Sequence, residues 1–330
     1  MLNSSQCTDG FSAHPEHPEG GAGRGTIDLA VVILTYNEER HIARALESVA
    51  GFAREVFVID SLSNDRTVEL ARSHGAIVLQ NKFSNNARQF QWALDNAPIT
   101  ASWIMKLDAD EVIEPDLAMK ISDEIPILRD DIVGVNLKRK HIFLGRWIRH
   151  GGRYPLILLR IWRRGCGRVE DRWMDEHIVV WGGGTVTLDG GFADHNLGDL
   201  TFFTDKHNRY ATREAIDVIN SRYELFSNAA DVPAKGGSLQ AVVKRLVKEK
   251  IYNRIPYQVA APAYFLYRLI FQLGFLDGRE GLVYHGLQAL WYRFLVGAKV
   301  DELELAIAGL KDPIEIRATL RRLTGLAIDP

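Results

Sequence analysis

The chain has 330 residues, enough for one large α/β domain with an appendage or for two ordinary domains. Apolar residues make up 46% and charged residues 25%, values that exclude wholesale disorder and collagen-like or coiled-coil repeats. A balance of 40 Lys and Arg against 42 Asp and Glu gives a formal charge of −2, without the basic excess of a chain that coats nucleic acid.

Residues 1–26 are rich in Gly, Pro, Ser and His and lack the apolar run of a secretory signal, so they read as a disordered tail. Gly21, Gly23 and Gly25 precede a strand, the wrong side for a phosphate-cradling loop. Cys7 and Cys166 make neither a disulfide scaffold nor a CxxC zinc pattern, which suits a reducing compartment.

From Ile27 the pattern changes. The run IDLAVVILTY, Ile27 to Tyr36, has the composition of a strand buried on both faces. After Asn37-Glu38-Glu39, the spacing of Ile42, Ala45, Leu46 and Val49 predicts a helix. Glu55 to Asp60 reads as a second strand, with a helix beginning near Val68, and Ala76 to Leu79 as a third. A helix over Asn85 to Ala97 and a fourth strand over Ser102 to Leu107 follow. Strands and helices alternating at this spacing predict a mostly parallel sheet in an α/β sandwich. Beyond Asp110 the rhythm turns to α+β, with strand candidates at Val133 to Leu144 and Leu156 to Arg163. After Gly190 it becomes mainly helical, beginning with Leu200 to Phe226.

The last third differs in character. Leu239 to Ile251 sets an apolar face against Lys244, Arg245 and Lys248, with Lys250 and Arg254 close by. Ile255 to Phe275 is long enough to cross a bilayer, but Pro256, Pro262 and Arg268 argue against a spanning helix. Two readings stand: an in-plane membrane attachment, or a helical subdomain packed on the core.

Acidic and polar clusters fall at the carboxyl ends of three predicted strands: Thr35-Tyr36-Asn37-Glu38, Asp60-Ser61, and Asp108-Ala109-Asp110-Glu111. In open parallel sheets the ligand crevice lies at those ends. Two carboxylates at i and i+2 can aim at one hard divalent cation, Mg²⁺ or Mn²⁺. Any one cluster alone reads as a cap or turn; it is their coincidence that points to a site.

These segments carry a resemblance. ILTYNEERHIARALESV, VIDSLSNDRT, NNARQFQWAL and WIMKLDADEVIEP resemble, in order and spacing, the family 2 inverting glycosyltransferases of GT-A fold. The similarity covers Ile27 to Ala211 well. GFLDGREG and WYRFLVGAKVDELE look more loosely like the tail of bacterial lipopolysaccharide-core glucosyltransferases. One motif departs: the usual DDGSxDxT reads here Asp60-Ser61-Leu62-Ser63-Asn64-Asp65-Arg66-Thr67.

The resemblance implies a Rossmann-like α/β/α sandwich over residues 27–230 and a helical region over 231–330. It implies an inverting enzyme that moves a sugar, glucose as the first guess, from a UDP-sugar to a lipid-linked glycan of lipopolysaccharide or exopolysaccharide. By the same likeness Thr35 and Glu38 would line base and ribose, Asp60 would meet the uracil imide, and Arg88 the nucleotide. Asp108 would lie near ribose and metal, Asp110 would ligate Mn²⁺ or Mg²⁺, and His195 would be a further ligand. Glu176, with Asp175 next, would be the general base that an inverting transfer needs. A place on the cytoplasmic face of the inner membrane, as a peripheral protein, goes with these expectations. Rival readings are a polyprenol-phosphate sugar synthase, a non-catalytic membrane scaffold, and a sugar-1-phosphate nucleotidyltransferase. The last needs a Gly-rich basic loop where this chain has TYNEER.

Overall fold

A computed structural model describes residues 25–170, 177–225, 255–326 and 328. The expected general bases Glu176 and Asp175, the basic segment 239–254 and the tail 1–24 lie outside the described residues. The chain divides into two compact units. The first takes in the described residues up to Gly145, Tyr154–Glu170, and those on to Leu197; the second takes in Arg146–Arg153 and the described residues from Gly198.

In the first unit the order is β1 (Ile27–Thr35), α1 (Ile42–Val49), β2 (Ala53–Asp60), α2 (Thr67–Ser73), β3 (Ile77–Gln80), α3 (Asn86–Asn96) and β4 (Trp103–Asp108). There follow β5 (Glu111–Ile113), α4 (Pro115–Glu124) and β6 (Ile132–Phe143); β7 (Arg146–Ile148) belongs to the second unit. The first unit resumes with β8 (Leu156–Arg163), β9 (Gly167–Val169), β10 (Ile178–Val180), β11 (Gly184–Thr187) and β12 (Phe192–Asp194). The main sheet runs β3-β2-β1-β4-β8-β6-β12-β5, with β11 beside β6. The four strands β3, β2, β1 and β4 are parallel, and β8 is antiparallel to both β4 and β6. This mostly parallel mixed sheet fits a GT-A fold.

Its layers follow from β1. Leu29, Val31 and Ile33 point to one face and pack with Ile42, Leu46 and Val49 of α1 and Leu117 and Ile121 of α4. Ala30 and Val32 point to the other, with Phe57, Ile59 and Phe90 and Ala93 of α3. Both faces are covered, which is why β1 reads as a continuous apolar run. The predicted strand and helix centres stand, with ends moved by a residue or two. The short strands β5 and β11 were not predicted, because three or four residues carry no usable alternation.

The second unit is helical beyond β7. Its α5 (Leu200–Tyr223) is capped by Asp199, whose carboxylate accepts from the Phe202 N–H at 2.8 Å. Ala215, Ile216 and Ile219 of α5 cluster with Val300, Leu303 and Ile307 and with Ile316 and Leu320. Those partners lie on two later helices. Before them come α6 (Tyr257–Leu266) and α7 (Gly278–His285); the partners themselves are α8 (Tyr292–Ile307) and α9 (Pro313–Thr324). Among the described residues no single helix is long and apolar enough to cross a membrane. One pair, Tyr257–Phe271 with Gly274–Ile307, meets that test only together and is bent by 75°.

Trp162 of β8 is wholly buried, its ring 6.0 Å from that of Phe90 on α3. Truncation there removes a large apolar side chain and leaves a cavity. Trp162→Ala should destabilise the fold by about 3–5 kcal/mol in urea unfolding, and a loss under 1 kcal/mol would show that this face is not a packed core.

Candidate functional site

Parallel register brings the predicted residues together. Thr35 pairs with Asp60 across β1 and β2, and Leu34 pairs with Asp108 across β1 and β4. The three strands therefore present Thr35, Asp60 and Asp108 along one carboxyl edge.

The loops that leave β1 and β2 are laced to each other. The Asn37 N–H donates to Ser63 Oγ at 2.9 Å, and the Asn64 N–H returns to Asn37 Oδ1 at 3.0 Å. The Glu38 N–H donates to Thr67 Oγ1 at 2.7 Å and the Glu39 N–H to Asp65 Oδ2 at 3.2 Å. Asp65 Oδ1 also accepts from the Thr67 N–H at 3.0 Å and from its hydroxyl. Burial works to raise the Asp65 carboxyl, but these Thr67 and Glu39 bonds outweigh it and hold the pKa below its ordinary value. Leu62 stands where the family motif has Gly, and its φ of 65° is the left-handed turn that Gly serves there.

Asp60 is wholly buried, and both its oxygens are occupied. Oδ1 accepts from the Thr35 hydroxyl at 3.1 Å and from the Ser63 hydroxyl; Oδ2 accepts from the Ser63 N–H at 2.9 Å and from Gln80 Nε2 at 3.1 Å. So placed, Asp60 ties the carboxyl ends of β1, β2 and β3 together. Gln89 of α3, which the sequence did not single out, donates to Ser61 Oγ at 3.2 Å. Arg88, next to it, is exposed on the same helix.

Glu38 holds His41 by a 2.6 Å bond to Nδ1. His41 Nε2 accepts from the Leu197 N–H at 2.9 Å, so the proton of the neutral ring sits on Nδ1 and is given to Glu38. This places the β12 exit loop over the start of α1. In that loop the His195 N–H donates to the Asp110 carbonyl at 2.9 Å, and Asn196 Nδ2 donates to Asp110 Oδ2 at 3.0 Å. Arg44 of α1 donates to the His195 carbonyl at 2.9 Å and lies 3.4 Å from its Nδ1. Burial first, then the Arg44 charge, lowers the His195 pKa below its ordinary value against Asp194, which favours the neutral ring. Arg44 and Asn196 are the residues of this corner that sequence reasoning missed.

Asp108 has a side chain 41% exposed, and its Oδ2 lies 3.3 Å from Arg160 Nη2. Partial burial disfavours its charged form, yet Arg160, Lys106 and Arg139 together push its pKa down to about 2. Glu111 is buried beside it. Burial raises that carboxyl while Arg160, at 2.6 Å, opposes the rise. The Arg160 pKa is itself raised, against its burial, by the Glu111 and Asp108 charges, and the 2.6 Å contact is that of an ion pair. Among the described residues no three His, Cys, Asp or Glu side chains are grouped to hold a metal ion. The expected ligands Asp108, Asp110 and His195 are thus not gathered around one point, and Asp108 Oδ2 lies against Arg160.

Residues 30–189 match the model of glycosyl transferase family 2. An uncharacterized glycosyltransferase of Rickettsia typhi is 35% identical over 97 residues, 29% of this chain and 31% of that protein. The match thus spans about a third of the length of this curated relative. A 4,4'-diaponeurosporenoate glycosyltransferase of Staphylococcus haemolyticus is 38% identical over 66 residues, 19% of this chain and 18% of that one. Among solved structures, Mycobacterium tuberculosis glucosyl-3-phosphoglycerate synthase with Mn²⁺, UDP and glucosyl-3-phosphoglycerate aligns with a TM-score of 0.28 at 19% identity. That alignment covers 38% of this chain and 50% of the synthase. Staphylococcus aureus TarS (residues 1–349) aligns with a TM-score of 0.43 at 14% identity, over 83% of this chain and 91% of TarS.

The lacing through Asp65 sets a pH limit. A carboxylate whose folded pKa is depressed contributes stability above its unfolded pKa, about 3.9, and loses it as pH falls through the lower folded value. Acid unfolding of Asp65→Asn should lack that part of the transition which the native chain shows below about pH 4. Superimposable acid profiles would show that the charge of Asp65 does not hold the two loops.

Proposed function

Starting from residues 30–189 as a family 2 glycosyltransferase domain, we propose that the chain transfers a hexosyl group, glucose first, from UDP-sugar to a hydroxyl of a lipid-linked glycan, with inversion. The observation that carries this reading is the carboxyl edge itself. Strand register sets Thr35, Asp60 and Asp108 side by side, and hydrogen bonds tie Asp110 to His195 and Asn196 at the same edge.

Thr35, Glu38, Asp60 and Arg88 are assigned to the nucleotide. The carboxylates of Asp110 and Asp108 suit a hard divalent cation, and His195 follows Asp194 in the loop whose backbone meets Asp110. Asp110 would hold Mn²⁺ or Mg²⁺, with Asp108 and His195 as the nearest further donors, and the bound cation would offset the charge of the departing diphosphate. Glu176 is assigned as the base that takes the proton of the acceptor hydroxyl as its oxygen attacks the anomeric carbon, with Asp175 as the next choice; both lie outside the described residues. The acceptor class follows the tail resemblance: a lipid A-linked core or an undecaprenyl-diphosphate-linked exopolysaccharide intermediate.

Two features support a working place on the cytoplasmic face of a membrane. In the second unit Val259, Leu266, Ile270 and Phe271 are exposed, Phe271 at 77%, and Arg268, the one charged residue between Ile255 and Phe275, is buried. The preceding sequence supplies Lys244, Arg245, Lys248, Lys250 and Arg254. Each cation near an anionic surface contributes about 1 kcal/mol.

A donor screen reading nucleotide release, with and without Mn²⁺ or Mg²⁺, tests the reaction. UDP-glucose with metal should give release that Asp110→Ala reduces by orders of magnitude, while Glu176→Gln lowers turnover about 10²–10⁴-fold with donor affinity retained. Wild-type rates for Asp110→Ala in chelator would remove the metal assignment, and normal turnover of Glu176→Gln would move the base to Asp175. For the membrane, co-sedimentation with anionic vesicles should exceed that with neutral ones and fall with salt and with Phe271→Ser. Equal recovery in the supernatant with both vesicle types would leave the helices as a packed subdomain.

A further inference from the structure

Behind the DxD segment runs a ladder of charge buried in the first unit. Arg160, in the middle of β8, is 5% exposed, and its guanidinium lies 5.3 Å over the Phe192 ring. Its Nη2 donates to Glu111 Oε1 at 2.6 Å and to Asp108 Oδ2 at 3.3 Å. Glu111 is 1% exposed, and its Oε2 accepts the backbone N–H of Asp108 at 2.9 Å. Arg139 of β6 stands 3.9 Å from Glu111 and 3.6 Å from Asp194.

Such a ladder is an expensive way to stabilise a fold. Each buried ion loses several kcal/mol of hydration, and apolar residues of similar volume are often as good or better. What a guanidinium adds is direction, since its rigid planar head holds one nitrogen, Nη2, against both carboxylates. Here Asp108 is gripped twice, at its N–H by Glu111 and at Oδ2 by Arg160. No hydrogen bond occupies Oδ1 among the described residues, and the side chain is 41% exposed.

We propose that Arg160, buried against Glu111, is a positioning residue that locks the Asp108 carboxylate by Oδ2 so that Oδ1 meets the sugar nucleotide. The role in turnover rests on the donor reading given above; the lock itself does not. Removing Arg160 alone would leave Glu111 and Asp108 as close like charges, so the informative variant removes charge from both sides. Arg160→Met combined with Glu111→Gln takes away one positive and one negative charge at similar volume.

The test compares wild type, this double variant and Arg160→Lys by melting, by UDP-sugar kinetics with Mn²⁺, and by crystal structures without ligand. The double variant should melt close to wild type, while its donor KM rises and kcat falls about 10- to 100-fold, the scale of a misplaced group. Arg160→Lys, which keeps the cation but not the fork, should recover part of that loss. The Asp108 side chain should have one conformation in wild type and a turned or divided one in the double variant. Unchanged kcat, a fall in kcat matched by a fall in melting temperature, or an unmoved Asp108 would each overturn the proposal. Should the double variant not fold, Arg160→Lys is judged on the same crystals and kinetics. If wild type does not bind UDP at all, the donor reading fails, and the Asp108 conformations still decide whether Arg160 locks it.

Discussion

Parallel pairing of β1 with β2 on one side and β4 on the other determines which side chains share the carboxyl edge of the sheet. Thr35 falls opposite Asp60, and Leu34 opposite Asp108. A slip of one residue would turn Leu29, Val31 and Ile33 toward α3 and reverse both apolar layers. Because the core cannot tolerate that, the polar ends of three strands are held level, and the crevice inherits its geometry from hydrophobic packing beneath it.

Above that edge, polar contacts do what packing cannot. Asp60 is buried with donors from Thr35, Ser63 and Gln80 around it, which binds three strand ends at one carboxylate. Asp65 and Asn37 then join the two loops reciprocally. Most of these bonds are individually worth only about 1 kcal/mol, but the groups are fixed together and a missing partner would leave others unsatisfied. On the far side, Arg44 and Arg160 set permanent cations near Asp110 and Asp108, so the acidic pair is not an uncompensated charge.

Much of this was legible in the sequence. The β-branched run from Ile27 announced a strand buried on both faces, and the acidic clusters at three strand ends announced a crevice. The family resemblance located the same residues. Asp60 was legible as important, but a motif gives a position and not the partners of its carboxylate, which here are Thr35, Ser63 and Gln80. Arg160 carried a signal that went unread: a charged residue inside the apolar LILLRIW is seldom tolerated without a buried partner. Arg44 gave none, because on α1 it looks like any solvated helical arginine until His195, 151 positions later, folds over it. The short strand that carries Glu111 also lay below what periodicity can detect.

Titration of UDP into the full chain, in Mn²⁺ and in chelator, bears most directly on the claim that this edge is a sugar-nucleotide site. Heat of binding in Mn²⁺ that disappears in chelator, and that Asp110→Ala also abolishes, is the predicted result. No UDP binding in Mn²⁺, or the same affinity in chelator, would contradict it.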